Sequence, residues 1–125
     1  VVAKSTEYQE QCTFFEYVRL KAINDHRYKM VSSSQNGASL RGGPAAYYAL
    51  KKAGFSNGVP DISCMVPVGP HHGLFIEMKR KPNVVSKEQQ EWLDNLNSLG
   101  YLALVAWSAD DAIKILDAYL LTTHP

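Results

Sequence analysis

The period of the apolar positions changes several times along the chain, and each change marks an element. Gln11, Phe14, Phe15, Val18 and Ala22 recur at helical spacing. This predicts an amphipathic helix over residues 6–22 with that stripe facing inward. Ser5 and Thr6 both suit its N-cap. Residues 24–30 form a polar link, residues 29–32 suit a short strand, and the Ser/Asn/Gly-rich residues 32–37 read as a loop. A second helix is expected over 45–53, with Pro44 in its first turn and Gly54 just past its end. Ala46, Ala49, Leu50 and Ala53 would face inward there, and Tyr47, Tyr48, Lys51 and Lys52 outward.

Two short apolar runs follow, residues 62–66 and 74–76, separated by the turn cluster 67–72. Their length and their Gly/Pro borders predict buried strands. Ser86 and Gln89 form a capping box for a helix whose apolar face is Trp92, Leu93, Leu96 and Leu99, closed by Gly100. Residues 101–107 are continuously apolar, as expected of a strand covered on both faces. Ser108 caps a last helix with Asp110 and Asp111 in its first turn and Ala112, Ile113, Leu116 and Leu120 inward. The resulting order of elements predicts an α/β fold, a small mixed β-sheet flanked by helices.

Charge enters this pattern at one unusual place. Gly58-Val59-Pro60-Asp61 opens the first buried strand, and the second runs directly into Glu77-Met78-Lys79. Side chains alternate along a strand, so Glu77 and Lys79 share a face. Charges at the end of an apolar run are tolerated when paired or when they hold a metal. If Asp61 lies on the same face, two carboxylates offer hard oxygen donors for Mg²⁺ or Mn²⁺. The amine of Lys79 would then orient a water or neutralise charge on a phosphate. Taken singly, Pro-Asp reads as a turn and Glu-X-Lys as a solvated salt bridge. The two in this order, joined by a short link, form a much more specific signal.

Pro60-Asp61 followed by Glu77-Met78-Lys79 resembles the signature of the PD-(D/E)xK nuclease superfamily, whose core is restriction-endonuclease-like. The wider motifs, Gly58 to Asp61, Gly73 to Arg80 and Val85 to Leu93, resemble the VRR-NUC domain, and are similar to its small stand-alone viral and phage members. The likeness runs from about Glu7 to Leu120. It implies a metal-dependent endonuclease that hydrolyses DNA phosphodiesters, with Asp61, Glu77 and the Met78 carbonyl as ligands of Mg²⁺ or Mn²⁺ and Lys79 at the attacking water. It also implies a further metal ligand, a helical Glu followed four residues later by Gln. Glu7 fits that spacing before Gln11, with Glu10 as the alternative register. Gln89 carries a second role by the resemblance, facing the site, and Asn36 is implied to line it. Homodimers acting on branched DNA such as four-way junctions are a further implication. Tyr119, Leu120 and Leu121, or the Tyr47–Tyr48 face, are candidate dimer surfaces.

Composition narrows the remaining choices. The 125 residues suit one domain, with 46% hydrophobic and 20% charged residues. A net charge of +1 provides no bulk attraction for nucleic acid, so a phosphate-binding surface must be local. Arg80, Lys81 and Lys87 cluster beside Lys79, and Lys51 and Lys52 form a second basic spot that reads equally well as a solvated helix end. Cys12 and Cys64 lack zinc spacing and read as buried thiols. His71 and His72 read as solvent-facing turn residues. The sequence shows no signal peptide or long apolar span, so a bacterial or infected-host cytoplasm is expected, with no membrane partner. Two competing functions stand beside the nuclease. One is a non-catalytic nucleic-acid-binding module. The other is an α/β domain whose Glu77-Met78-Lys79 is a structural ion pair.

Overall fold

The structure, a computed structural model, describes residues 5–34 and 43–121. Helix α1 (Glu7–Ala22) is followed by a 3-10 turn (His26–Met30), strand β1 (Val31–Ser33) and helix α2 (Gly43–Lys52). Strands β2 (Ile62–Cys64) and β3 (Leu74–Met78), helix α3 (Lys87–Ser98), strand β4 (Leu102–Ala106) and helix α4 (Ala109–Leu121) complete the chain. Among the described residues the strands form one sheet in the order β1-β2-β3-β4. The β1–β2 and β2–β3 pairs are antiparallel and the β3–β4 pair is parallel, so the sheet is mixed as expected.

Alternation along the strands splits the interior into two layers. Ile62, Cys64, Leu74, Ile76 and Met78 pack under Phe14 and Val18 of α1 and Leu116 and Leu120 of α4. Phe75 and Ala103 turn to the opposite face, against Leu93 and Leu96 of α3. Thr6 caps α1 and Ser86 caps α3, each with a complete capping box. Ser108 bonds the Asp111 N–H at the start of α4. At the other end of α3, Gly100 has φ +96° and lies under the His72 ring, where a side chain would collide.

Several expectations change. The apolar run at residues 101–107 is covered on both faces, with Leu102 and Ala106 on the α1–α4 side and Ala103 and Val105 on the α3 side, but it lies at the sheet edge and Leu104 is 38% exposed. Its length and composition could not distinguish an edge from a centre. Cys12 is exposed, because it lies off the Phe14–Val18 stripe; only Cys64 is buried. Helix α2 buries none of its residues, and Ala49 and Ala53 lie outward, whereas Tyr47 is half-buried with its hydroxyl accepting from Asn57 Nδ2 at 2.6 Å. His72 is exposed as expected, and His71 is half-buried. Tyr119 and Leu120 belong to the core and so form no association surface; Leu121 is exposed.

At Ala103 the free edge of β4 is capped by one side chain. Asn97 Nδ2 donates to the Ala103 carbonyl at 3.0 Å, and Asn97 Oδ1 accepts from the Ala103 N–H at 2.9 Å. The amide thus stands in for a neighbouring strand at the residue whose backbone points away from β3. Exposed edges template pairing with other chains. Asn97→Ala is therefore expected to cost about 1–3 kcal/mol through two unmet backbone groups and to promote concentration-dependent self-association. Light scattering across a dilution series checks this; a monodisperse variant with unchanged stability would refute it.

Candidate active site

The strand register builds the site. Ile62 stands opposite Ile76, so one step outward places Asp61 opposite Glu77. Since Ile62, Ile76 and Met78 point into the α1–α4 layer, Asp61, Glu77 and Lys79 point to the α3 side. The backbone of Lys79 bonds β4, through its N–H to the Ala106 carbonyl, while that of Met78 turns to β2. Asp61 and Glu77 therefore occupy a non-hydrogen-bonded position, where facing side chains come closest, at roughly 4.5 Å between Cα atoms.

Pro60 explains why the ladder stops there. It would pair with Met78 but has no N–H to offer. The Met78 N–H donates to Asp61 Oδ2 at 2.8 Å. The Met78 carbonyl lies on the same side of the strand as its N–H, facing a residue that cannot donate to it.

Glu77 is 2% exposed. Its Oε2 accepts from Gln89 Nε2 at 3.2 Å, while its buried Oε1 has no hydrogen-bond partner. Burial, then the charge of the facing Asp61, push the Glu77 carboxyl up to about 9. Burial also raises Asp61. Without a cation this environment favours the protonated form of Glu77. Lys79 draws both carboxyls down electrostatically, yet it forms no salt bridge with either. Lys79 approaches the pair without closing on it, which is not the arrangement of a structural Glu-X-Lys ion pair.

Gln89 serves both readings of its sequence position. Its Oε1 accepts from the Ser86 N–H at 2.8 Å as a cap while its Nε2 holds Glu77. The start of α3 sits this close to the strands because Gly58, at φ +89°, lies against it. A Cβ there would come within 2.7 Å of the Glu88 carbonyl carbon.

The two candidate helix acids separate clearly. Glu7 Oε2 accepts from the Arg80 N–H at 3.2 Å and from Asn83 Nδ2 at 3.1 Å, and its charge raises both Asp61 and Glu77. Glu10 accepts from the Ser5 hydroxyl and, at 2.8 Å, from the Ala109 N–H at the start of α4. Those bonds hold its carboxyl below the usual range. Glu10 thus ties two helices together and Glu7 faces the site. Asn83, which sequence reasoning passed over, holds Glu7 in place; only the Pro-Asn turn pair signalled it.

Of the basic residues, Arg80 is half-buried and donates through Nε to the Ser5 carbonyl at 2.7 Å. Lys81 lies 5.9 Å from the Trp107 ring, and Lys87 is exposed in the first turn of α3. Lys51 and Lys52 make their contacts with Tyr47 and Tyr48 of their own helix. Asn36 lies outside the described residues.

The donor set fits a small hard cation. Among the described residues no three His, Cys, Asp or Glu side chains converge, so the carboxylate core is the Asp61–Glu77 pair. Mg²⁺ is ordinarily held by one or two carboxylates with water and phosphate oxygens completing its shell. The partnerless Glu77 Oε1 and the raised pair are what a missing positive charge would leave.

The VRR-NUC domain family model matches residues 1–110. A solved structure described as a VRR_NUC domain protein is 24% identical, with a TM-score of 0.81, covering 97% of this chain and 93% of its own. That likeness shows the fold to be restriction-endonuclease-like. No curated protein matches the chain.

Proposed function

The chain belongs to the VRR-NUC domain family, a family of nuclease type, and on that premise we propose that it is a divalent-metal-dependent endodeoxyribonuclease acting on branched DNA. The observation that carries this reading is the facing Asp61–Glu77 pair, with the buried Glu77 Oε1 left without a partner. Asp61, Glu77 and the Met78 carbonyl would hold Mg²⁺ or Mn²⁺. When bound, the ion supplies Lewis acidity toward the scissile phosphate and lowers the pKa of a coordinated water. Gln89 fixes the orientation of Glu77. Glu7, held by Arg80 and Asn83, supplies the third carboxylate at the rim. Lys79 positions the attacking water and offsets charge developing on the phosphate. Arg80, Lys81 and Lys87 position the backbone, and Lys51, Lys52 and Asn36 are candidates for more distant contacts.

A homodimer would present two such sites related by a two-fold axis, suited to paired cuts at a junction. A cytoplasmic location accords with this reading. Among the described residues no helix is long and apolar enough to cross a membrane.

The test is cleavage of linear, nicked, flap and four-way-junction DNA with Mn²⁺, run beside Lys79→Ala and a mass measurement in solution. Cleavage that needs the ion and Lys79 supports the reading; ion-independent cleavage, or none on any DNA, rejects it. The helix acids provide a separate prediction. Glu7→Gln is expected to lower the cleavage rate about 10-fold or more with little loss of stability. Glu10→Gln is expected to cost about 1 kcal/mol of stability, as a weakened helix-terminus hydrogen bond, with cleavage retained. The reverse pattern in rates and melting curves would reassign the site acid.

A further inference from the structure

We propose that the hollow lined by residues 5–8 and 80–83 is a subsite for an unpaired nucleobase next to the scissile phosphate, with the Tyr8 ring as its stacking surface. This rests on the nuclease reading and adds to it a source of substrate selectivity within the chain.

The hollow has a volume of about 460 Å³, within the range of about 300–1,000 Å³ common for small-ligand sites. Its place ties it to the chemistry. Glu7 lines it and acts electrostatically on both carboxyls of the pair, and Arg80 directly follows Lys79. A nucleotide seated here belongs to the strand being cut. The walls are already set: the Arg80 N–H and Asn83 Nδ2 grip Glu7, and Arg80 Nε grips the Ser5 carbonyl. Exposed Lys81 on the rim offers charge to the adjoining phosphate.

Among the described residues the Tyr8 side chain makes no hydrogen bond or ring contact. It is 71% exposed, on the α1 face away from the buried Phe14 and Val18. It also lines a second recess of about 260 Å³ with Gln11, Cys12, Phe15, Arg19 and Ser33, so it stands between two hollows. Aromatic side chains on a basic groove stack bases without regard to their identity. A base inside a duplex has both faces covered, so only a frayed, flapped or junction nucleotide can use this ring.

The experiment compares the wild type with Tyr8→Phe and Tyr8→Ala on two DNAs. One is a fully paired duplex, and the other carries one unpaired 2-aminopurine beside the cut. Binding is read by 2-aminopurine quenching with Ca²⁺ in place of Mn²⁺, and cleavage as the kcat/KM ratio for unpaired over paired DNA. The wild type and Tyr8→Phe are expected to quench the probe and prefer the unpaired substrate. Tyr8→Ala is expected to lose the quenching and about 5- to 150-fold of that ratio, the scale of one base–aromatic stack. A wild-type ratio near one, or a ratio and quenching unmoved in Tyr8→Ala, overturns the proposal while leaving the nuclease intact. Absence of cleavage by the wild type on both these DNAs and on flap and four-way-junction DNA overturns both.

Discussion

Glu77→Gln is expected to abolish DNA cleavage and, without divalent ions, to make the protein more stable. Losing a metal ligand removes several kcal/mol of charge stabilisation in the transition state, on the order of 10³-fold or more in rate. The folded protein gains for the same electrostatic reason. In the wild type the buried Glu77 carboxyl faces that of half-buried Asp61 and titrates far above its ordinary range. An amide there carries no charge, can donate to Asp61 and can still accept from Gln89, a gain of about 1.5–3 kcal/mol.

The pH dependence follows from the same pair. The folded state keeps the Glu77 proton up to about pH 9, while the unfolded chain releases it near its ordinary value of 4.5. The stability this contributes is complete below pH 4.5 and is lost as pH rises toward 9. Melting temperatures in EDTA should therefore fall from pH 5 to pH 9 in the wild type and fall less in Glu77→Gln. Mn²⁺ should restore the wild type at high pH and leave the variant unmoved. A variant less stable than the wild type in EDTA at pH 8 would show that the carboxyl pair is not under strain and that the metal reading lacks its physical basis.

Asp117→Ala is expected to be the most destabilising exposed-to-interior polar change, at about 2–4 kcal/mol, or a fall of roughly 10 °C in melting temperature. Asp117 accepts from the hydroxyls of Tyr17 in α1 and, at 2.6 Å, Tyr28 in the 3-10 turn. One carboxylate on α4 therefore fastens two other elements. Truncation leaves the buried Tyr28 hydroxyl without that acceptor. Tyr17→Phe removes one of the two bonds and should cost about 1 kcal/mol. Hydrogen bonding to Asp117 holds the Tyr17 phenol up to about 12, and burial with the same partner raises Tyr28. The stability these groups add is present below pH 10 and lost as pH climbs through 12. Chemical denaturation of the variants checks the order; an Asp117→Ala loss no larger than that of Tyr17→Phe would show that the carboxylate does not bridge the three elements.

The features legible in the sequence are those decided by near neighbours. Helical spacing placed Phe14 and Val18 inward, Ser86 and Gln89 marked the start of α3, and Pro60-Asp61 with Glu77-Met78-Lys79 marked the site residues. Each depends on backbone period or on groups within a few residues of one another. Tertiary structure decided what those groups meet. The apolar run that becomes β4 is equally compatible with a central strand, and only sheet order makes it an edge capped at Ala103 by Asn97. Glu7 and Glu10 are both first-turn acids; the positions of Arg80, Asn83 and Ala109, distant in sequence, divide them between the site and the α4 start. The Asp61–Glu77 opposition likewise comes from strand register. The upward shift of Glu77 is a property of burial, which no spacing of residues along the chain expresses.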